Sequence, residues 1–111
     1  KTVSALHRLP TDEIFHFYLG DQVEMLQLWP GGTSRQVLLG TDLNAGQVPQ
    51  TVVPGGVWQG SFLIPGGKFA LLGATMAPGF DYLDYESGQR DELQNLYPEL
   101  AGLIERLTPR K

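Results

Sequence analysis

The sequence predicts an all-β domain closed by a helical tail, and three observations carry that reading. Proline and glycine recur together at short intervals, in "WPGG", "VPGG", "IPGG" and "APGF". The runs between them are short and rich in Val, Leu, Phe and Tyr, as strands bounded by turns are. From Gln89 onward the apolar residues change to a helical period.

Strands are expected near residues 3–9, 13–20, 22–29, 34–40, 50–54, 57–64, 69–77 and 81–86. The repeated "PGG" is turn chemistry, because Gly supplies positive φ and Pro presets the position before it. It is not a phosphate loop, since no helix is expected after any of the three. In the tail, Leu93, Leu96, Leu100, Leu103, Ile104 and Leu107 fall at spacings of three, four and one, which make one helical stripe. Pro98 suits the first turn of a second helix, so a break is expected near Tyr97. The polar face of this tail is mixed rather than basic. It is expected to pack outside the β core and not on a membrane.

The 111 residues suffice for one domain, 1–111, with a β core at about 3–87 and a helical tail at about 89–108. The formal charge is −4 and no basic block occurs, which argues against nucleic acid as a partner. No apolar run is long enough to cross a bilayer, and the first residues lack the apolar core of a secretory signal. Cysteine is absent, which removes disulfides and thiolate chemistry. These features fit a cytoplasmic protein. The chain opens at Lys1 and not at Met, as a fragment or processed product would.

Candidate chemistry concentrates in "ALHRLPTDEIFHFYLGD", which holds both histidines of the chain. Glu13 and His16 have the E-x-x-H spacing of a helical metal site, but "EIFHFYL" is aromatic and β-branched and reads as a strand. Alternation then places Glu13, Phe15, Phe17 and Leu19 on one face and Ile14, His16 and Tyr18 on the other. Glu13 and His16 share a pocket only if a bulge intervenes. Otherwise His16 is a strand histidine bonded to a neighbouring strand or subunit. His7 lies on the preceding strand, and "PTD" is expected to fold that strand back beside Glu13. An imidazole close to a carboxylate can bind a metal or share a proton, or form a surface ion pair of little energetic weight.

"HRLPTDEIFHFYLG" fits the first cupin motif, H-x-H-x(3)-E-x(6)-G, with His7, Glu13 and Gly20 in register and Leu9 in place of the second histidine. "PGGVWQ" fits the second motif, P-x-G-x(2)-H, with Pro54 and Gly56 in register and Gln59 in place of its histidine. More specifically the chain resembles the DUF985, or cupin type 5, family through "SALHRLPTDEIFHFYLGD", "VLLGTDLNAGQVPQTVVPGGVWQG", "LLGATMAPGFDYLDYE" and "YPELAGLIERLT". The resemblance implies the double-stranded β-helix, or jelly roll, of the RmlC-like cupins. It also implies the description given to such families, predicted sugar epimerases. Relatives carry further strands before "SALHR"; without them a sheet edge is left for another chain to cover, and a homodimer is expected.

Two of the four usual cupin metal ligands are replaced. Leu9 cannot bind a metal, and a Gln amide oxygen suits a soft divalent ion poorly. His7, Glu13 and Gln59 therefore imply weak divalent binding at most, and no resident cofactor is expected. The expected partner is a small polar ligand such as a sugar or nucleotide-sugar. His7 or His16 would act as base, partnered by Glu13 or a tyrosine. Gln59, Trp58, Tyr18, Arg35, Asp84 and Glu86 complete the candidate ligand-binding set. Tyr82, Asp84 and Glu86 would share one face of the last strand, either in the pocket or in solvent. Trp58 would pave the pocket mouth or pack in the core. A metal-dependent isomerase or oxygenase, and a non-catalytic dimeric scaffold, are the other two classes compatible with the sequence.

Overall fold

A computed structural model describes residues 3–79 and 81–109. Among them eight strands form two sheets: β1 (Val3–Arg8), β2 (Glu13–Gly20), β3 (Val23–Leu28), β4 (Ser34–Leu39), β5 (Gln50–Val53), β6 (Trp58–Leu63), β7 (Ala70–Met76) and β8 (Glu86–Ser87). One sheet has the order β4-β3-β6-β1-β8 and the other β5-β2-β7, with antiparallel neighbours throughout. Two short helices follow, α1 (Arg90–Leu96) and α2 (Ala101–Arg106), joined by a 3-10 turn that begins at Pro98. The jelly roll with a helical tail is thus present, and the chain breaks at Tyr97 as the proline position predicts. Each "PGG" turn contains at least one positive-φ glycine (Gly31, Gly32, Gly56 and Gly66), as its turn chemistry requires.

The five-stranded sheet is buried on both faces, and strand alternation divides its side chains between two cores. Leu6, Leu26, Leu28, Trp58 and Phe62 point outward and pack with Leu93, Tyr97, Ile104 and Leu107 of the tail. Val23, Met25, Val37 and Leu39 point inward and meet Phe17, Val53 and Val57, closing the space between the sheets. The helical stripe therefore docks as expected with one exception, Leu96, which is 57% exposed. The backbone turns at Tyr97 (φ −131°, ψ 66°), and the Tyr97 ring takes the buried place. Its hydroxyl donates to the Trp29 carbonyl, and burial pushes its ionisation above the ordinary phenol range.

The strand expected at 81–86 is reduced to Glu86–Ser87. The Asp81 side chain accepts from the Leu83 N–H at 2.9 Å and nucleates a 3-10 turn over Tyr82–Asp84. A short polar side chain that satisfies the backbone locally competes with the ladder. Tyr82, Asp84 and Glu86 accordingly do not line one strand face. The "PTD" turn also differs from expectation. It does not pair β1 with β2 but carries the chain from one sheet to the other, so β1 pairs with β6 and β8 while β2 pairs with β5 and β7. Asp12 fixes this crossing by accepting from the Gly55 N–H at 2.8 Å. A Cβ on Gly55 would sit 2.3 Å from the Pro10 carbonyl oxygen, so only glycine permits the close approach.

The two-sided burial yields a stability prediction. Ile104 is fully buried against the sheet, so Ile104→Ala is expected to cost about 2–5 kcal/mol in urea unfolding. Leu96→Ala, in the same predicted stripe, is expected to change stability by no more than about 0.5 kcal/mol. Equal effects at the two positions would contradict the packing of the tail.

Candidate functional site

A row of polar side chains crosses the inward face of the five-stranded sheet. Gln59 lies opposite Gln27 on one side and His7 on the other, and His7 lies opposite Ser87. Gln27 in turn lies opposite Arg35, whose side chain is exposed at the end of the row. Polar groups in such a core are expected to be bonded, and these are. Gln27 is fully buried; its amide donates to the Val52 carbonyl at 3.3 Å and accepts from Trp29 Nε1 at 3.1 Å. No fully buried side-chain nitrogen or oxygen among the described residues lacks a partner.

His7 reaches this face because β1 is irregular. Ser4 pairs with Ser61 and His7 with Gln59, three steps along β1 against two along β6. That extra residue is a β-bulge, which lets Leu6 enter the outer core and turns His7 inward. His7 Nδ1 lies 2.7 Å from the Ala5 carbonyl oxygen. A carbonyl can only accept, so Nδ1 carries the proton and Nε2 of the neutral ring holds the lone pair. The ring stacks on Tyr85 with centroids 5.1 Å apart.

Glu13 arrives from the opposite sheet. It is 8% exposed, and its Oε1 accepts from Gln59 Nε2 at 2.6 Å across the gap between the sheets. His7, Glu13 and Gln59 thus share the interior, but His7 and Glu13 stand on opposing sheets rather than side by side. The amide must turn its nitrogen toward a carboxylate, so Gln59 Oε1 points away from Glu13. A metal at Glu13 would face the amide N–H and not the amide oxygen. Only His7 and Glu13 then remain as donors, fewer than the three that a catalytic divalent centre uses. Among the described residues no three His, Cys, Asp or Glu side chains converge. The residues present do not fit a cupin metal centre.

The other candidates lie elsewhere. His16 Nε2 lies 3.1 Å from Thr75 Oγ1, and the His16 ring is parallel to that of Tyr18, both on the outer face of the three-stranded sheet. The irregularity in β2 falls between Phe17 and Leu19, too late to turn His16 inward. Trp58 neighbours Gln59 but points to the helical side, where the Arg8 guanidinium lies 4.4 Å from its ring centroid. It does not pave the interior. Asp84 is exposed in the 3-10 turn. Glu86 accepts two hydrogen bonds from Arg8, at 2.7 and 3.0 Å, and is not part of the row. Gln27, Trp29 and Tyr85 were not singled out from sequence. Odd-numbered parity with Met25 on β3 marks Gln27; no local signal marks Tyr85.

The model of the cupin superfamily family Cupin_5 (DUF985) matches residues 1–88. The chain belongs to this family. It is 35% identical over 96 residues to the uncharacterized protein YML079W of Saccharomyces cerevisiae, covering 81% of this chain and 47% of that protein. The chain therefore spans about half the length of that curated relative. The crystal structure of protein SO0799 from Shewanella oneidensis superposes with a TM-score of 0.89 at 34% identity, over 98% of this chain and 68% of that one. A hypothetical protein from Leishmania major gives a TM-score of 0.87 at 28% identity, over 97% and 70%. Among the described residues of this Cupin_5 chain, no helix is long and apolar enough to cross a membrane.

The Arg8–Glu86 pair offers a pH test of how β8 is held to β1. The hydrogen bond from Arg8 lowers the Glu86 carboxyl below its ordinary range. A lowered folded-state value means that the contribution is present above the ordinary carboxylate range and is lost as pH falls through the lowered value. Glu86→Gln is expected to be slightly less stable than wild type at neutral pH. In urea unfolding the difference should vanish in acid and shrink with salt, because the pair is exposed.

Proposed function

We propose that this Cupin_5 protein binds a small polar molecule between its two sheets, with His7 and Glu13 facing it from opposite sides. The observation that carries the reading is the Glu13–Gln59 bond. It holds one oxygen of a buried carboxylate and leaves the other without a hydrogen bond among the described residues. The chemistry in keeping with this arrangement is acid–base isomerisation or epimerisation of a sugar or nucleotide-sugar. One member of the pair removes a proton from carbon, and the other, in its protonated form, returns one on the opposite face. Neutral His7 with protonated Glu13 serves one direction, and imidazolium with carboxylate the other. Arg35, at the exposed end of the row, is suited to a phosphate outside the sheets. This chemistry uses no metal, and the predicted-epimerase description of the family rests on fold, which does not by itself fix a reaction.

Thermal shift with a panel of sugars and nucleotide-sugars tests the binding. A stabilising ligand is expected to lose its effect in His7→Ala and Glu13→Gln and to keep it in His16→Ala. Solvent deuterium should enter a carbon-bound position of a true substrate. Protein purified without added metal is expected to hold far less than one transition metal per chain by emission spectrometry. One tightly bound metal per chain, lost in His7→Ala, would sink the metal-free chemistry.

The protein is also proposed to form a homodimer. The outer face of the three-stranded sheet exposes Tyr18, Leu19, Val52 and Leu71. Both β5 and β7 pair only with β2 among the named strands. Covering such an edge satisfies a row of open backbone groups. Light scattering at micromolar concentration is expected to give twice the chain mass, and a monomer would count against the proposal.

A further inference from the structure

The geometry points to an ammonium-bearing ligand: the buried middle of the row binds a positively charged hydrogen-bond donor, such as an amino-sugar, in preference to a neutral or anionic head group. This rests on the proposed binding site and narrows what enters it.

Most donor atoms of the row are already committed, and several acceptors are not. Short of Arg35, each side-chain nitrogen of the row donates to the protein itself, and the one N–H left over is the second of Gln59 Nε2. His7 Nδ1 is held by the Ala5 carbonyl, Gln59 Nε2 by Glu13, Gln27 Nε2 by the Val52 carbonyl and Trp29 Nε1 by Gln27. The acceptors are not committed. Glu13 Oε2, His7 Nε2 and Gln59 Oε1 take no hydrogen bond among the described residues. Fully buried polar atoms there all have partners, so these three reach solvent. A site that offers acceptors matches a ligand that brings donors.

Charge sharpens the choice. Glu13 is more than nine-tenths buried, and its bonded partner is a neutral amide. The ion pair found among the described residues is Arg8–Glu86, on the far face of the sheet. Arg8 is thus spent, and Arg35 sits at the exposed end of the row, beyond Gln27. A carboxylate taken from water without a counter-charge is costly, and a ligand cation removes that cost. An N–H donor with a positive charge bonds a carboxylate roughly twice as strongly as a neutral one. A carboxylate or phosphate placed beside Glu13 would be repelled.

Two matched ligand sets test this at neutral pH, in phosphate buffer with EDTA. One is glucosamine, glucose and glucuronate; the other is cyclohexylamine, cyclohexanol and cyclohexanecarboxylate. The ammonium member of at least one set is expected to bind about tenfold or more tighter than its neutral counterpart, with no binding of the carboxylate. Glu13→Gln should erase the preference. The chain has two histidines, so the wild-type protein also reports directly. The ring resonances of His7 should move on titration, while those of His16, on the outer face, stay still. This readout holds even where Glu13→Gln fails to fold. If only the cyclohexyl set discriminates, the ammonium preference stands and the sugar reading falls. If the sugar set binds with glucose or glucuronate equal to or tighter than glucosamine, the sugar reading stands and the ammonium preference is overturned. Absence of binding by all six, or movement of His16 alone, also overturns it.

Discussion

Burial of the five-stranded sheet on both faces is the constraint on which the rest depends. A strand offers alternate residues to opposite sides, and here neither side is water. Even-numbered Leu26, Leu28, Trp58 and Phe62 feed the helical core, while odd-numbered Val23, Met25 and Gln27 face the other sheet. On β3 and β6 parity therefore decides whether a residue stabilises the tail or lines the interior. Gln59 lines the interior because Trp58 anchors the tail; a one-residue slip would exchange them. The polar row is tolerated in so buried a place because its amides and the Trp29 indole bond one another, Glu13 or the backbone.

Much of the fold was legible in the sequence for this reason. Seven of the expected strands lie where apolar runs meet Gly/Pro turns, and the period change at Gln89 marks the tail. What failed was set by short-range chemistry that periodicity does not see. Asp81 bonds the Leu83 amide and pre-empts a strand. Leu96 belongs to the stripe by spacing, yet the turn at Tyr97 ends the helix before it can be buried.

The candidate site was legible only in part: His16, Tyr18, Trp58, Asp84 and Glu86 lie away from the row. The motif spacing identified His7, Glu13 and Gln59, and the structure brings all three to the interior. Their relation is not legible in the sequence, because strands adjacent in the chain read as partners whereas the turn after Leu9 crosses between sheets. The bulge that matters was also elsewhere. Alternation raised the question for His16 on β2, but the register break that places a histidine lies before His7 on β1. A bulge leaves little trace in a single sequence, since it changes pairing and not composition. Gln27 was missed because a polar residue within an apolar strand reads as solvent-facing until both faces are known to be covered.

The replacement of histidine by Gln59 has a consequence beyond the loss of one metal ligand. An imidazole at that position would offer a lone pair to whatever Glu13 binds. An amide has two ends, and the carboxylate captures the donor end. Glu13 is then fixed in orientation without being neutralised, while His7, fixed by the Ala5 carbonyl, keeps its lone pair free. Both groups are held by neutral partners, so neither contact cancels a charge. The site so built has its basic atoms positioned in advance and its charge uncompensated, and the compensation must come from what enters it.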